Sequence, residues 1–186
     1  MRREVVWFFT ILYSTVLFAE DTELRLYRPL TETTSQPRVE MTEKKTGECW
    51  QQSQRIKRED AWRCIADGES YDPCFVQRFG SHSKAICLNS PWSTRGVEVM
   101  VATPLDNRQH EALDMSQTYP WAIELSSGEK CQSIESTESF DGLPVRYSCD
   151  RNTVLIGHVQ RCNSRWKILQ HSTGGITTVE IAKAWF

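Results

Sequence analysis

The second half of the chain carries short runs in which large apolar residues alternate with polar or smaller ones. Val97, Val99 and Val101 are one such run. A period of two is that of a strand with one buried face. Turn-forming segments such as SSGEK, FDGLP, CDRN and STGG separate the runs. The predicted strands are residues 97–101, 121–125, 130–134, 144–149, 153–157, 166–171 and 177–182.

Short strands at this close spacing predict a mostly β fold with little helix. We expect an antiparallel sheet that curls into a sandwich or a partial barrel and is braced by disulfides. Residues 105–119 interrupt the rhythm and are predicted to be an exposed insertion. One helical turn is predicted at residues 60–63, with Asp60 as its cap.

Residues 1–19 have the three parts of a secretory signal peptide, namely a basic head at Arg2 and Arg3, an apolar run, and a small residue at Ala19. The run is about 14 residues, shorter than a membrane-spanning helix. We therefore expect a secreted or periplasmic protein with no transmembrane segment after signal removal. The alternative is that this segment stays attached as an N-terminal anchor.

Residues 20–46 are dominated by charged residues and threonine, so they are predicted to be a flexible charged arm. The alternative is that Leu24, Leu26 and Tyr27 dock on a partner as a short strand. Residues 47–186 are then a single disulfide-braced β domain. The formal net charge of the chain is −2, and its basic residues are scattered. This charge pattern argues against a nucleic-acid partner, and no motif predicts a cofactor.

Seven cysteines in an exported chain of this size should be mostly disulfides. Sequence does not fix their connectivity, but spacing and context favour three local pairs, Cys49–Cys64, Cys74–Cys87 and Cys131–Cys149. Each bridge should stabilise the fold by about 3 kcal/mol. No C-x-x-C or C-x-x-H pair occurs, so no metal site is predicted.

Cys162 is the cysteine left over. It is predicted to be an exposed free thiol, or to pair with another molecule and so give a homodimer. His158 lies four residues before it, and on a strand both would face the same side. A nucleophilic Cys–His pair is therefore an alternative, although no motif supplies an oxyanion hole or an orienting group. We prefer the interpretation as a polar turn with a spare cysteine.

Aromatic and acidic residues offer two further candidate sites. Tyr71, Asp72 and Trp92 could line a groove and form a binding surface, although Trp92 is also typical of a structural wedge in the core. Paired carboxylates would suit glycoside hydrolysis, but nearness in sequence does not give their separation across a cleft. The acidic residues considered for that role are Asp67, Glu69, Asp72 and Glu98.

Four motifs carry a resemblance, namely DAWRC at 60–64, YDPCF at 71–75, CLNSPW at 87–92 and WAIELSSGEKC at 121–131, and GLPVRYSC at 142–149 and the terminal AWF at 184–186 look similar too. They resemble a set of small exported bacterial domains in which D-A-x-R-C, D-P-C-F and C-x-x-x-P-W recur in this order. The resemblance covers residues 47–186. It implies export and a disulfide framework, and it implies no reaction. Cys162 matches no position of that pattern, which supports leaving it unpaired.

These observations favour a non-enzymatic binding or structural domain of the bacterial cell envelope, whose partner is a protein or another envelope component. An inhibitor of a secreted hydrolase is the first alternative, because rigid loops lose little entropy on binding. A hydrolase of cell-wall carbohydrate is the second. A pocket with two carboxylates would favour the hydrolase, a protruding ordered loop the inhibitor, and a flat apolar patch a partner surface.

Overall fold

A computed structural model describes residues 20–30, 39–77 and 82–186. The predicted signal peptide lies outside these residues. The described residues form strands and no helix, which confirms the predicted fold class, and so none of them forms an apolar helix of membrane-spanning length. The strands are β1 (Glu23–Arg25), β2 (Glu40–Gln52), β3 (Ala61–Ala66), β4 (Glu69–Phe75), β5 (Lys84–Cys87), β6 (Arg95–Val101), β7 (Ala122–Leu125), β8 (Lys130–Ser133), β9 (Ser139–Phe140), β10 (Leu143–Cys149), β11 (Val154–Gln160), β12 (Lys167–Ser172) and β13 (Gly175–Trp185).

Strands β2 to β6 form a closed barrel in which each strand pairs with the next. The four consecutive pairs are antiparallel. In an up-and-down arrangement of five strands, the first and the last run in the same direction. The closing pair, β2 with β6, is accordingly parallel.

The second sheet also returns to its starting strand. Its path runs β7, β8, β10, β11, β12 and β13, and β13 then pairs with β7. When six strands alternate in direction, the first and the last run in opposite directions. The closing pair, β13 with β7, is accordingly antiparallel. Strand β1 runs parallel to β13, and β9 forms a hairpin with β10. The predicted curling is therefore barrel closure in both sheets, not sandwich packing.

The seven strands predicted from residue 97 onwards correspond to β6, β7, β8 and β10 to β13. Residues 105–119 form turns without a strand and are mostly exposed, as expected for an insertion. The predicted helical turn at residues 60–63 is wrong, because this segment opens β3. Trp62 and Cys64 point into the first barrel, and Asp60 accepts hydrogen bonds from Arg58 instead of capping a helix.

All three predicted disulfides are confirmed. Each joins residues that lie directly opposite each other on neighbouring antiparallel strands, with Cα atoms 3.9 to 4.0 Å apart. Two of the bridges contribute to the core of the first barrel, and the bridge Cys131–Cys149 contributes to the core of the second.

A third apolar cluster joins the two barrels, and we call it the seam. The outer face of the first barrel contributes Ala61, Phe75 and Ile86. The second sheet contributes Trp185 at the end of β13, and Trp121 lies directly before β7. Tyr27 completes the seam from the N-terminal segment. Its ring centroid lies 5.8 Å from that of Phe75 and 5.5 Å from that of Trp121.

The predicted flexible arm at residues 20–46 is wrong for the part that the structure describes. Residues 23–25 form β1, Tyr27 is only 2% exposed, and residues 40–46 are the first half of β2. The segment has too little apolar surface to fold alone, but β13 and β6 supply edges that pair with its backbone. The alternative prediction, that residues near Leu24 dock as a short strand, is closer to the structure. The strand is β1, and it docks on β13 of its own chain and not on a partner.

Arg58 lies at the centre of the seam and is 2% exposed. Its guanidinium binds Asp60 through two nitrogens, one of them 2.9 Å from Oδ2. It also donates to the main-chain oxygens of Tyr27 at 2.6 Å and Phe186 at 2.9 Å, and it packs 4.8 Å from the ring of Phe75. One buried cation thus connects the N-terminal segment, the first barrel and the end of β13.

Replacing Arg58 with methionine should destabilise the protein strongly. The change leaves Asp60 as a buried unpaired charge and the Tyr27 carbonyl without its donor, so we expect a loss of about 3 to 5 kcal/mol in the free energy of unfolding. Denaturant unfolding measures this. The matched control is Arg108→Met, which breaks the exposed Arg108–Asp106 pair and should leave stability unchanged. Equal effects of both variants would contradict the structural role of Arg58.

Removing the ring of Tyr27 should show whether residues 20–30 belong to the domain. Tyr27→Ala empties part of the seam, and we expect it to cost about 3 to 5 kcal/mol, as for other buried aromatic residues. Leu24→Ala is the control, since Leu24 is 44% exposed on β1. If Tyr27→Ala were as mild as Leu24→Ala, and limited proteolysis removed residues 20–30 without loss of stability, the segment would be a mobile arm after all.

Candidate functional site

A cleft with a volume of about 810 Å³ lies where the two barrels meet. The loop after β2 lines it with Gln54, Arg55 and Lys57, and residues 118–119 line it at the end of the insertion. The opposite wall is formed by residues 133–138 and 144–147, from β8, the following loop and β10. Strands carry much of this wall, so the site is held on rigid elements.

Arg55 holds the two walls together. Its terminal nitrogens donate to the main-chain oxygens of Asp72 at 2.9 Å and Asn89 at 3.2 Å in the first barrel. Its Nε contacts the Ser133 hydroxyl of β8 at 3.4 Å. Burial lowers the pKa of Arg55, and the nearby carboxylates of Asp72 and Glu135 act in the opposite direction. All its nitrogens are engaged, so its role is structural.

Tyr119 forms an aromatic and cationic cluster at the side of the cleft. The guanidinium of Arg146 lies 4.4 Å from the ring centroid, and that of Arg161 lies 5.9 Å away. The hydroxyl of Tyr119 is hydrogen-bonded to Nδ1 of His158. Arg146 also donates from Nε to the Gly157 carbonyl at 2.8 Å. Its two terminal nitrogens have no protein partner in the described part of the chain.

Two glutamates contribute negative charge to the cleft, but neither is enclosed. Glu135 and Glu138 are both exposed, and Glu135 lies 3.5 Å from Arg63 in an ion pair. A general acid for glycoside hydrolysis needs an environment that keeps its carboxyl protonated near neutral pH. An exposed carboxylate does not have such an environment, so these residues are suited to binding.

The four carboxylates considered from sequence for hydrolysis all lie on the first barrel, outside the cleft. Asp67 and Glu69 surround the amine of Lys45, at 3.9 and 2.9 Å. Glu98 lies between the amines of Lys44 and Lys84, at 3.5 and 3.7 Å. Each of these three has a structural cation as its partner.

The structure brings Tyr71 and Asp72 together but places Trp92 elsewhere. Tyr71 and Asp72 line a small pocket of about 120 Å³. Trp92 packs edge to face against Trp185 in the seam, with ring centroids 4.9 Å apart, and the amine of Lys130 lies 5.5 Å from its ring. The predicted groove of three residues is therefore wrong for Trp92, because its ring fills space between the barrels.

Asp72 holds the loop after β2. Its carboxylate accepts hydrogen bonds from the Ser53 hydroxyl and from the Gln54 amide, the latter at 3.0 Å. Burial raises the pKa of this carboxyl above its ordinary value, and these two hydrogen bonds lower it in part. Asp72 thereby positions the segment that carries Gln54 and Arg55 into the cleft.

Cys162 is an exposed free cysteine, as predicted. Within the described residues no hydrogen bond joins it to His158, whose Nδ1 is engaged with Tyr119. Arg161 is also engaged elsewhere, since it donates to three carbonyls of residues 115–118. These contacts leave Cys162 without the activating base that a nucleophile needs. An intermolecular disulfide through Cys162 stays a prediction.

Sulfur atoms of Cys64, Cys74 and Cys87 lie within 4.8 Å of one another in the core of the first barrel. All three belong to disulfides, and a metal ion is bound by thiolates. The cluster is therefore two adjacent bridges.

Sequence reasoning did not single out Arg55, Tyr119 or Arg146. They are far apart in the chain, so spacing could not bring them together. Arg146 lies within the motif GLPVRYSC, but the resemblance gives it no role. The only signal was the interruption of the strand rhythm at residues 105–119, which ends at Tyr119.

No protein family, curated protein or solved structure matches this chain. The resemblance to small exported bacterial domains therefore stays a prediction.

Asp72→Asn should change how stability depends on pH. Because the pKa of Asp72 is raised in the folded protein, its ionised form is disfavoured there. The contribution of Asp72 is full below the ordinary value of 3.8 and is lost as pH rises through the folded value. We expect the stability of the wild type relative to Asp72→Asn to fall as pH rises above 3.8.

Asp106→Asn is a control of opposite sign. The hydrogen bond with Arg108 lowers the pKa of Asp106 to about 2, so its contribution, which is small because the pair is exposed to solvent, is present above 3.8 and is lost as pH falls through about 2. Chemical unfolding of the three proteins across this range measures both slopes. The same slope for both variants would show that burial of Asp72 has no effect on its titration.

Proposed function

We propose that this chain is an exported, non-enzymatic binding domain of the bacterial cell envelope, and that its partner is a protein that binds in the cleft. The observation that carries this proposal is the composition of the cleft. It combines cations, carboxylates and hydroxyls from both barrels, while its two carboxylates are exposed and unsuited to acid catalysis. Its volume of about 810 Å³ is within the usual range of binding sites.

Export is supported by the disulfides and by the pattern of residues 1–19. Bridges of this kind persist in oxidising compartments and are rare where thiols are kept reduced. The resemblance of the cysteine motifs to small exported bacterial domains supports the envelope as the location. We propose the periplasm or the outside of the cell on these grounds.

Pre-organisation supports binding as the role of the cleft. Arg55 fixes the loop after β2 against β8, and Asp72 fixes the start of the same loop. The partner would therefore not have to order this wall, which reduces the entropic cost of association.

Inhibition of a secreted hydrolase is the second candidate, and one observation favours it. Residues 105–119 form a mostly exposed loop, and Arg161 holds the end of this loop through the carbonyls of Met115 at 2.8 Å, Ser116 at 2.7 Å and Thr118 at 2.7 Å. A loop fixed in this way is suited to insertion into the active site of another enzyme.

A pull-down from envelope extract with three surface variants distinguishes these candidates. Each variant places a tryptophan at an exposed position. Thr137→Trp blocks the cleft, and Gln109→Trp alters the exposed loop of residues 105–119. Thr177→Trp, on β13 and outside the cleft lining, is the matched control. We expect the wild type and the variants at 109 and 177 to capture the same protein, and the variant at 137 to lose it. Near-ultraviolet circular dichroism checks that all four proteins are folded.

Each other outcome has a defined meaning. Loss of the partner only with Gln109→Trp would favour the inhibitor, and a captured hydrolase should then be assayed for inhibition. Equal capture by all four proteins would show that the cleft is not the binding site. Release of reducing sugar from cell-wall polysaccharide by the wild type alone would contradict the non-enzymatic proposal.

A further inference from the structure

Two cations of the cleft have unused hydrogen-bond donors. The terminal nitrogens of Arg146 have no protein partner among the described residues, as noted above. Lys57 has one long ion pair, with its amine 3.6 Å from Glu111, and 49% of its side chain is exposed. Each nitrogen of Arg55, by contrast, already has a protein oxygen as its hydrogen-bond partner. The cations of the cleft that have nitrogens without a close protein partner are therefore Arg146 and Lys57.

Arg146 is held in a fixed orientation although its terminal nitrogens are unpaired. The bond from Nε to the Gly157 carbonyl and the stacking on Tyr119 fix the plane of the guanidinium. A planar guanidinium with two free terminal nitrogens matches a carboxylate, which accepts two parallel hydrogen bonds. The expected ligand group at this position is a carboxylate.

The wall that carries Arg146 also carries the opposite charge. Glu138 is exposed and has no ion pair with any described residue, and Glu135 shares the weak contact with Arg63. A polyanion would be repelled by these carboxylates, while a ligand with charges of both signs would complement this wall. Mixed charge within a short distance is a property of protein segments.

A neutral carbohydrate is also disfavoured. Sugar rings stack on open aromatic faces, and Tyr119 is the aromatic ring of the cleft that lies beside its rim. Arg146 already stacks on this ring at 4.4 Å, and Arg161 lies near it. Tyr147 is 1% exposed, and its hydroxyl donates to the Pro120 carbonyl at 2.7 Å. Neither Tyr119 nor Tyr147 therefore has an open ring face on which a sugar could stack.

We propose that the cleft binds an extended protein segment in which an acidic side chain pairs with Arg146 and a nearby basic side chain lies against Glu138. This inference rests on the proposed function and adds the chemistry of the partner. It predicts a preference for segments that contain both signs over segments that contain one.

Binding of blocked synthetic hexapeptides to the ¹⁵N-labelled protein, followed by NMR, tests the proposal. The full chain is expressed in a bacterial host and purified as that host processes it. One peptide carries a glutamate and a lysine two residues apart, a second carries two glutamates, and a third carries two lysines. We expect the mixed peptide to shift amides of residues 118–119, 133–138 and 145–147, and to bind about tenfold more tightly than the others.

Two variants test the assigned charges. Arg146→Gln should weaken the mixed peptide about tenfold, because a charge-assisted pair is lost. Glu138→Lys lies on the exposed rim, so it should keep the fold, and it should reverse the preference towards the peptide with two glutamates. Arg108→Gln, an exposed change on the insertion outside the cleft lining, is the control and should leave all three affinities unchanged.

Several results would overturn the proposal. The mixed peptide could bind no better than the acidic one, or the charge reversal at Glu138 could leave the preference unchanged. Tighter binding of an oligogalacturonate at the same amides would assign the cleft to acidic polysaccharide instead. If no peptide binds while the pull-down still shows a cleft-dependent partner, this charge assignment fails and the proposed function stands. If the pull-down also shows no cleft-dependent partner, both fail.

Discussion

The buried ion pair of Arg58 and Asp60 is the interaction on which the arrangement of the two barrels depends. A guanidinium in an apolar seam is costly to desolvate, and it is tolerated only when its donors are all satisfied. Here they are satisfied by one carboxylate and two main-chain carbonyls, those of Tyr27 and Phe186. Because these groups come from distant parts of the chain, the requirement to satisfy Arg58 fixes how those parts meet. Apolar packing of the seam alone would specify the contact less strictly.

Both sheets close on themselves, and this closure explains where the cleft lies. A closed barrel has no free edge along its pairing path, so the two barrels can meet only through faces, ends and loops. The seam uses the outer face of the first barrel, and the cleft opens beside it where loops from both barrels converge. The segments that bound the cleft therefore differ in origin, and Arg55 is needed to connect them.

Much of the second barrel could be predicted from sequence, because its strands alternate clearly and turn residues separate them. The disulfides could be predicted because each closes a short local loop, and partners opposite each other on adjacent strands are often close in sequence. The strands β1 and β2 were missed for a different reason. In β2 most residues are polar and none is fully buried, and Tyr27 is one aromatic residue in a charged segment. Such segments acquire order from pairing with strands such as β13 and β6, which no local pattern reveals.

The cleft illustrates the same limit at the level of function. Cysteine, histidine and carboxylate motifs attract attention in a sequence because their chemistry is local, yet here each is engaged structurally. Cys64 and Cys74 form bridges, His158 is bonded to Tyr119, and Asp72 holds a loop. The charged groups of the cleft with unused bonding capacity are Arg146, Lys57 and Glu138, and sequence reasoning singled out none of them. Arg146 differs from Arg55, Arg58 and Arg161 in one respect. Its guanidinium is oriented by the Gly157 carbonyl and the Tyr119 ring, while its two terminal nitrogens have no protein partner among the described residues. That difference is visible only after every hydrogen bond of the folded chain has been assigned.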